Sequence, residues 1–453
     1  MIQKTVQDIC KMIDASYYAN GLEDRKIKGV SIDSRTIEAD MLYIPLLGQR
    51  VDGHQFIDSV IEKGAGASFW QKDHLPYPKG ILLILVEDPQ KALQDLAKAY
   101  LKTLDCLVIA VTGSNGKTSC KDMLFSVFSK EKKTQKTQGN RNNEIGLPLT
   151  ILEFDEDIEV AILEMGMENR FEIEQLCQIA PPDISIITTI GSAHMENLGD
   201  RYGIARAKLE ILENSKPNAL FLYNKECPEI ESVMKEMEIS SDHNIVSFGQ
   251  GGDIFVSSDV QVTDHGISFQ VAPQNLSIEL AAYGDFQATN ALPVIYAALY
   301  AKLSEASILE GLKTLEMTKM RTQLIPCQNA KILDDTYKSN PESARAAIDT
   351  LMSIPAKRHV AILSDMLDLG PDTVQFHQEI GTYAIDKQVD QVYCVGELSK
   401  HTAAACQEKG MWFEDKTSLL AACRQEVEND CVILVKGSRA MTMDTIVEAL
   451  QEG

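Results

Sequence analysis

The run Leu107-Val-Ile-Ala-Val-Thr-Gly-Ser-Asn-Gly-Lys-Thr-Ser119 restricts what this chain can fold into more than any other stretch. An uninterrupted Val/Ile-rich segment reads as a strand buried on both faces, and such strands belong to parallel sheets covered by helices. The glycine-rich turn that follows lets backbone N–H groups close on phosphate oxygens, and a helix after it offers its positive end to the same anion. Thr112, Gly113, Ser114, Asn115, Gly116, Lys117, Thr118 and Ser119 are therefore the candidate nucleotide-phosphate contacts. Lys117 is placed to neutralise phosphate charge and the Thr118 hydroxyl to bind Mg²⁺. A general phosphate loop has a further glycine five residues before the one preceding the lysine. That position is Val111, so this loop is the shorter form Gly113-x-x-Gly116-Lys117-Thr118.

The same alternation recurs along the 453 residues. Short apolar runs at 107–111, 160–163, 184–190, 360–363, 392–395 and 432–435 are separated by stretches with helical spacing such as 122–128 and 375–385. This predicts an α/β protein. Three domains are expected: an N-terminal α/β domain over 1–84, a central domain with a mostly parallel sheet over 85–316, and a C-terminal Rossmann-like domain over 317–453. A strand-rich segment with turns is expected within the central domain over 246–283.

Lys plus Arg number 43 and Asp plus Glu 66, a net charge of −23. That argues against a nucleic-acid partner, because a phosphate backbone wants a basic surface. No apolar run approaches the ~18 residues needed to span a bilayer, and the N-terminus has no apolar signal core. A cytoplasmic location without membrane insertion is expected. The ten cysteines are scattered without a CxxC pair, so they read as core residues rather than as a metal or disulfide framework. Cys120, beside the phosphate loop, reads as a helix-packing residue.

Two side chains follow strands at positions where open α/β sheets place their ligand crevice. Glu164 comes after 160–163 and His194 after 184–190. Each alone is equally well a solvated carboxylate or a hydrogen-bonded loop imidazole; beside a phosphate loop both become candidate Mg²⁺ ligands. Lys208 lies on an apolar helical stripe with Ile204 and Leu212. The usual fate of such a lysine is to snorkel to solvent. Burial would instead lower its pKa and expose a neutral amine able to take up CO₂ as a carbamate.

The short loop, with Thr137-Gln-Gly-Asn-Arg-Asn-Asn-Glu-Ile-Gly-Leu-Pro148 and Ala207-Lys-Leu-Glu-Ile211, resembles the Mur ligase superfamily, which includes the folylpolyglutamate synthetases. The resemblance covers essentially the whole chain. It extends to Ile32-Asp-Ser-Arg-Thr36, Gly48-Gln-Arg-Val-Asp-Gly-His54, Asp334-Asp-Thr-Tyr-Lys-Ser-Asn-Pro341 and Val435-Lys-Gly-Ser-Arg-Ala-Met441. It implies an ATP-dependent, ADP-forming amide ligase with two Mg²⁺ ions and a carbamate on Lys208. The branch it favours joins D-alanyl-D-alanine to UDP-N-acetylmuramoyl-tripeptide in peptidoglycan synthesis, and it suggests a monomer. Lys117, His194, Lys208 and Arg321 would be the catalytic set, and Thr118, Glu164, His194 and Lys208 the metal set. Asn290, Arg321 and Asp335 would join the nucleotide contacts. Ser34, Arg35, Gly48, Asp52, Gly53 and His54 would bind the uridine nucleotide. Asn140, Asn143, Tyr337, Asn340, Lys436, Ser438 and Arg439 would line the substrate path.

The chain departs from the family pattern at five of these motif positions. Phe286 and Gln287 replace a His-Asn pair, Met320 a glycine before Arg321, and Lys338 and Ser339 an Asn-Ala pair. Four alternatives stay open here: a ligase with another acceptor such as D-alanyl-D-lactate, a folate polyglutamylating enzyme, which the N-terminal motifs disfavour, a nucleotide-gated binding protein without turnover, and a generic P-loop ATPase, which the short loop disfavours.

Overall fold

The computed structural model describes residues 1–453 except 19–24, 49, 193–194, 238, 240–241 and 453. Each apolar run noted above becomes a strand, because its alternate residues feed two separate cores. In the strand Leu107–Thr112, Val108 and Ala110 pack on one face of the sheet and Ile109 and Val111 on the other. This strand sits third from one edge of a six-stranded, all-parallel sheet. The order across it is Asn244–Phe248, Leu220–Asn224, Ile184–Ile187, Leu107–Thr112, Val160–Glu164, Thr134–Lys136. The chain's direction of travel across the sheet reverses at Leu107–Thr112, which places the ligand crevice at its carboxyl end. Thr112 is registered with Ile187 on one side, and Val111 with Glu164 on the other.

The N-terminal region forms a five-stranded sheet, ordered Ser16–Tyr18, Leu82–Val86, Ala67–Gln71, Leu42–Tyr43, Val30–Ser31, antiparallel only at its first pair. The helix Pro89–Leu101 follows, started by Pro89 and by Asp88, whose side chain accepts from the N–H groups of Gln90 and Lys91. Such a cap satisfies donors that the first turn leaves free. One continuous apolar cluster joins this region to the central sheet through Leu93, Leu96 and Tyr100 against Leu147 and Ile151. Residues 255–280 form a four-stranded antiparallel sheet over the other face of the central sheet. The C-terminal sheet has six strands, parallel except for the hairpin Gln323–Cys327 with Ala330–Asp335.

The run 184–190 ends as a strand at Ile187, short of its expected length. Thr188 and Thr189 leave the ladder to hold the phosphate loop. Thr188 Oγ1 donates to Asn115 O at 2.5 Å, and Asn115 N donates to Thr189 Oγ1 at 2.9 Å. The first 84 residues also carry the short helices Val6–Met12 and Ile57–Glu62. All ten cysteines are free, and all but Cys106 are buried. Among the described residues, no helix is long and apolar enough to cross a membrane.

Candidate active site

The loop 113–116 turns so tightly that two positions admit only glycine. Gly113 has φ +151°, and a Cβ there would lie 1.9 Å from Thr188 Oγ1; Gly116 has φ +83°, and a Cβ there would lie 2.6 Å from Asn290 Oδ1. The helix Lys117–Phe128 starts directly after. Lys117 Nζ folds back onto Gly113 O at 2.6 Å. Its pKa is pushed down to about 8, first by desolvation and next by Lys338, against the opposing pull of Glu164.

Glu164 ends its strand at the mouth of the loop, and its side chain is buried. Oε2 accepts from Thr118 Oγ1 at 3.0 Å and lies 3.5 Å from Lys121 Nζ, while Oε1 accepts from Asn142 Nδ2 at 2.9 Å. Burial alone would raise its pKa; Lys121 and Lys117, with the Asn142 hydrogen bond, hold it below the ordinary value. The carboxylate is thus ionised and oriented, with the Thr118 hydroxyl beside it. These oxygen donors suit a hard divalent cation. Lys208 is buried in the helix Arg201–Glu213, not snorkelling. Desolvation, then Lys117 and Lys338, push its pKa well below the usual lysine value. A neutral amine in that setting fits carbamylation, whose product would offer oxygens in place of nitrogen. His194 lies outside the described residues.

The C-terminal domain closes the other side. Arg321 Nη2 donates to Thr118 Oγ1 at 3.2 Å, its guanidinium lies 4.0 Å from the centre of the Tyr337 ring, and its Nε is buried with no partner among the described residues. Met320 adopts φ +63°, so the position where the family has glycine keeps the left-handed backbone with a methionine in it. Asn340 caps the helix Pro341–Ser353, and its Nδ2 donates to Asn115 Oδ1 at 2.9 Å. Asp335 accepts from Lys436 Nζ and from Thr322 N.

Together these elements wall a cleft of about 1060 Å³. Ser114 through Ser119, Asn140, Asn143, Glu164, Asn290, Arg321, Asp335, Tyr337 and Lys436 line it. Gly113 and Asn340 support this lining through their bonds to Lys117 and Asn115, and Thr112 and Lys208 are buried. Asn143 also caps the helix Gly146–Glu153, its Oδ1 accepting from Gly146 N at 2.9 Å.

The remaining candidates lie away from the cleft. Ser438 Oγ accepts from Leu367 N at 3.0 Å, and Arg439 pairs with Asp444 at 2.8 Å. In the N-terminal domain, exposed Arg35 pairs with Asp33, and the Ser34 carbonyl accepts from Lys63 Nζ. Gly48 N donates to Val51 O, and a Cβ on Gly53 would meet Leu46 and Pro45 backbone at 2.9 Å. Asp52 Oδ1 and His54 Nδ1 are 2.7 Å apart, and the His54 ring stacks on that of His74 at 4.2 Å.

Three contributors were not legible as such. Lys121 neutralises Glu164; the signal is its i+4 spacing from Lys117, which puts both on one helix face. Asn142 orients Glu164 from within a segment rich in asparagine. Glu342 ties the domains together, Ser192 N and Oγ donating to its Oε1 at 3.0 and 2.6 Å; nothing local marked it.

A phosphate loop at a parallel-sheet switch point, an ionised carboxylate beside it and an arginine brought from a third domain define a multidomain nucleotide-phosphate-binding α/β protein. The Mur ligase middle domain matches residues 111–298, the Mur ligase glutamate ligase domain 320–439, and the Mur ligase family catalytic domain 26–101. The chain belongs to the Mur ligase family. It is 35% identical over 459 residues to the UDP-N-acetylmuramoyl-tripeptide–D-alanyl-D-alanine ligase of Bacillus subtilis (strain 168), covering 100% of this chain and 99% of that one. It is 30% identical over 438 residues to the ligase of the same name from Escherichia coli (strain K12), covering 95% of each. Among solved structures it matches MurF from Acinetobacter baumannii with TM-score 0.91 at 28% identity, over 100% of both chains. It matches MurF ligase from Thermotoga maritima in complex with ADP with TM-score 0.84 at 27% identity, over 96% of this chain and 99% of that one.

Proposed function

We propose that this chain is a cytoplasmic, monomeric ATP-dependent ligase that joins D-alanyl-D-alanine to UDP-N-acetylmuramoyl-tripeptide, giving UDP-N-acetylmuramoyl-pentapeptide for peptidoglycan. The observation that carries the reading is full-length similarity to ligases of that name, together with a complete phosphate loop and a buried, ionised Glu164 beside Thr118. A free carboxylate resists amination at neutral pH because its leaving group is poor. Transfer of the γ-phosphoryl group to the tripeptide carboxylate gives an acyl phosphate; the amine of D-alanyl-D-alanine then attacks its carbonyl carbon and inorganic phosphate leaves. Lys117 and Arg321 stabilise charge on the transferring group. No side-chain nucleophile takes part, and much of the acceleration comes from holding three reactants in one cleft.

Thr118 and Glu164 would hold Mg²⁺, with the carbamate of Lys208 supporting a second ion and His194 completing the set. Bound there, the metal supplies neutralisation of phosphate charge. Asn290 is assigned to the adenine, Asp335 to the ribose, and Asn140, Asn143, Tyr337, Asn340, Lys436, Ser438 and Arg439 to the peptide path. Ser34, Arg35, Gly48, Asp52, Gly53 and His54 are assigned to the uridine nucleotide. We divide the chain at 1–84, 85–316 and 317–453. The three main sheets support that division, although the strand Leu82–Val86 runs past the first boundary.

The test is phosphate release from ATP and Mg²⁺ with the tripeptide substrate, in its lysine and diaminopimelate forms, with and without D-alanyl-D-alanine. Release that needs both substrates and yields pentapeptide by mass is expected, with loss in Lys208→Ala. No turnover with either tripeptide would overturn the reading.

A further inference from the structure

Lys338 is the departure from the family pattern that stands closest to the chemistry. Its backbone is fixed: Lys436 Nζ, buried and paired with Asp335, also donates to Lys338 O at 2.9 Å. The neighbouring Tyr337 ring carries the Arg321 guanidinium. The side chain of Lys338 lines the cleft with Lys117, Thr118, Glu164 and Arg321. Among the described residues its ammonium makes no hydrogen bond or ion pair.

The charges around it do not balance. Among the described residues Lys117 Nζ meets only backbone carbonyls and Arg321 Nε has no acceptor, and the carboxylate of Glu164 is already matched by Lys121. Lys338 shares the lining of this cleft with Lys117 and Arg321. Its own pKa is lowered by desolvation within the cleft and then by Arg321, against the opposing pull of Asp368, Glu168 and Glu164, although much of the side chain remains exposed to solvent. Cations gathered in this way repel one another until an anion of high charge density arrives, and such a site favours the ligand with most negative charge at that point.

We propose that Lys338 binds the terminal phosphate of the nucleoside triphosphate, beside Arg321, as a contact from the C-terminal domain that the family's asparagine cannot supply. This rests on the ATP-dependent reading above. An ammonium is a point charge on a flexible stem, so it follows a phosphoryl group better than a planar amide does. Lys338 thereby discriminates triphosphate from diphosphate and links nucleotide state to the position of the C-terminal domain.

The experiment uses the full chain with Mg²⁺ and compares Lys338→Met, Lys338→Asn and Lys338→Arg by calorimetric titration with ADP and with a non-hydrolysable ATP analogue. Lys338→Met and Lys338→Asn are expected to weaken the analogue about tenfold and ADP less than about twofold, with Lys338→Arg recovering most of the loss. Equal weakening of both nucleotides, or of neither, would overturn the proposal. So would unchanged nucleotide binding with a raised KM for the tripeptide, which would place the ammonium on the substrate carboxylate. Melting temperatures of the variants show whether each is folded. Binding is read without turnover, so a wild-type chain that discriminates through Lys338 but makes no pentapeptide would sink the ligase reading and leave this inference standing.

Discussion

Replacing Lys121 with methionine removes the charge that balances Glu164 while nearly keeping the volume. The two groups lie 3.5 Å apart, and both side chains are almost wholly buried. At an effective dielectric of 20 their attraction is about 5 kcal/mol before desolvation is counted. Breaking a buried pair from one side costs roughly 3–5 kcal/mol, because the other charge stays buried. Here Glu164 keeps Asn142, Thr118 and the field of Lys117, so the lower end applies: about 3 kcal/mol for Lys121→Met. Glu164→Gln leaves the Lys121 ammonium without its carboxylate and is expected to cost about 2–3 kcal/mol. The double variant buries neither charge and should cost at least about 2 kcal/mol less than the two singles added together. A three-domain chain need not melt in one step. The transition to follow is the one that ADP shifts upward, since only the nucleotide-binding unit gains from the ligand. For a unit of some 200 residues, 3 kcal/mol lowers that transition by roughly 6–12 °C. A shift under about 2 °C for Lys121→Met, or strict additivity in the double variant, would refute the ion-pair account of how Glu164 is held ionised.

Other expectations follow from single contacts. Gly116→Ala puts a Cβ 2.6 Å from Asn290 Oδ1 at a φ of +83°; calorimetric titration should detect no ADP binding, while the C-terminal domain melts as before. Asn340→Ala removes a helix cap and the bond to Asn115, and should cost about 1–2 kcal/mol in thermal unfolding. Met320→Gly relieves a left-handed residue, and is expected to raise stability by about 0.5–1 kcal/mol. His377 must stay neutral, because its Nε2 accepts from Met366 N at 3.1 Å and burial lowers its pKa. Its folded pKa lies below the unfolded value near 6.5, so its contribution is complete above that pH and declines as pH falls below it, by at most about 1.4 kcal/mol per pH unit. Urea titrations of wild type and His377→Asn between pH 5 and 7.5 should show the steeper decline in the wild type.

What could be read from the sequence was whatever the backbone makes periodic or local. The strand Leu107–Thr112 announces itself because both its faces are buried, and the loop after it because Gly113 and Gly116 occupy positions that a side chain would obstruct. Glu164 lies at the crevice because the carboxyl end of a parallel strand emerges there. Lys208 was singled out for the same kind of reason: a lysine within an apolar stripe is a local contradiction, and the helix resolves it by burial. The contacts that escaped notice join residues distant in the chain, such as Ser192 with Glu342 and Asn115 with Asn340. Nothing at either end of such a pair breaks a local rule. Lys338 stands between these cases. Its family difference was visible, but its meaning was not, because a lysine in a loop is ordinary until Arg321 and Lys117 are found lining the same cleft. A departure from a family pattern acquires a physical meaning only when the charges folded against it are known, and here the first of them, Arg321, shares its sign.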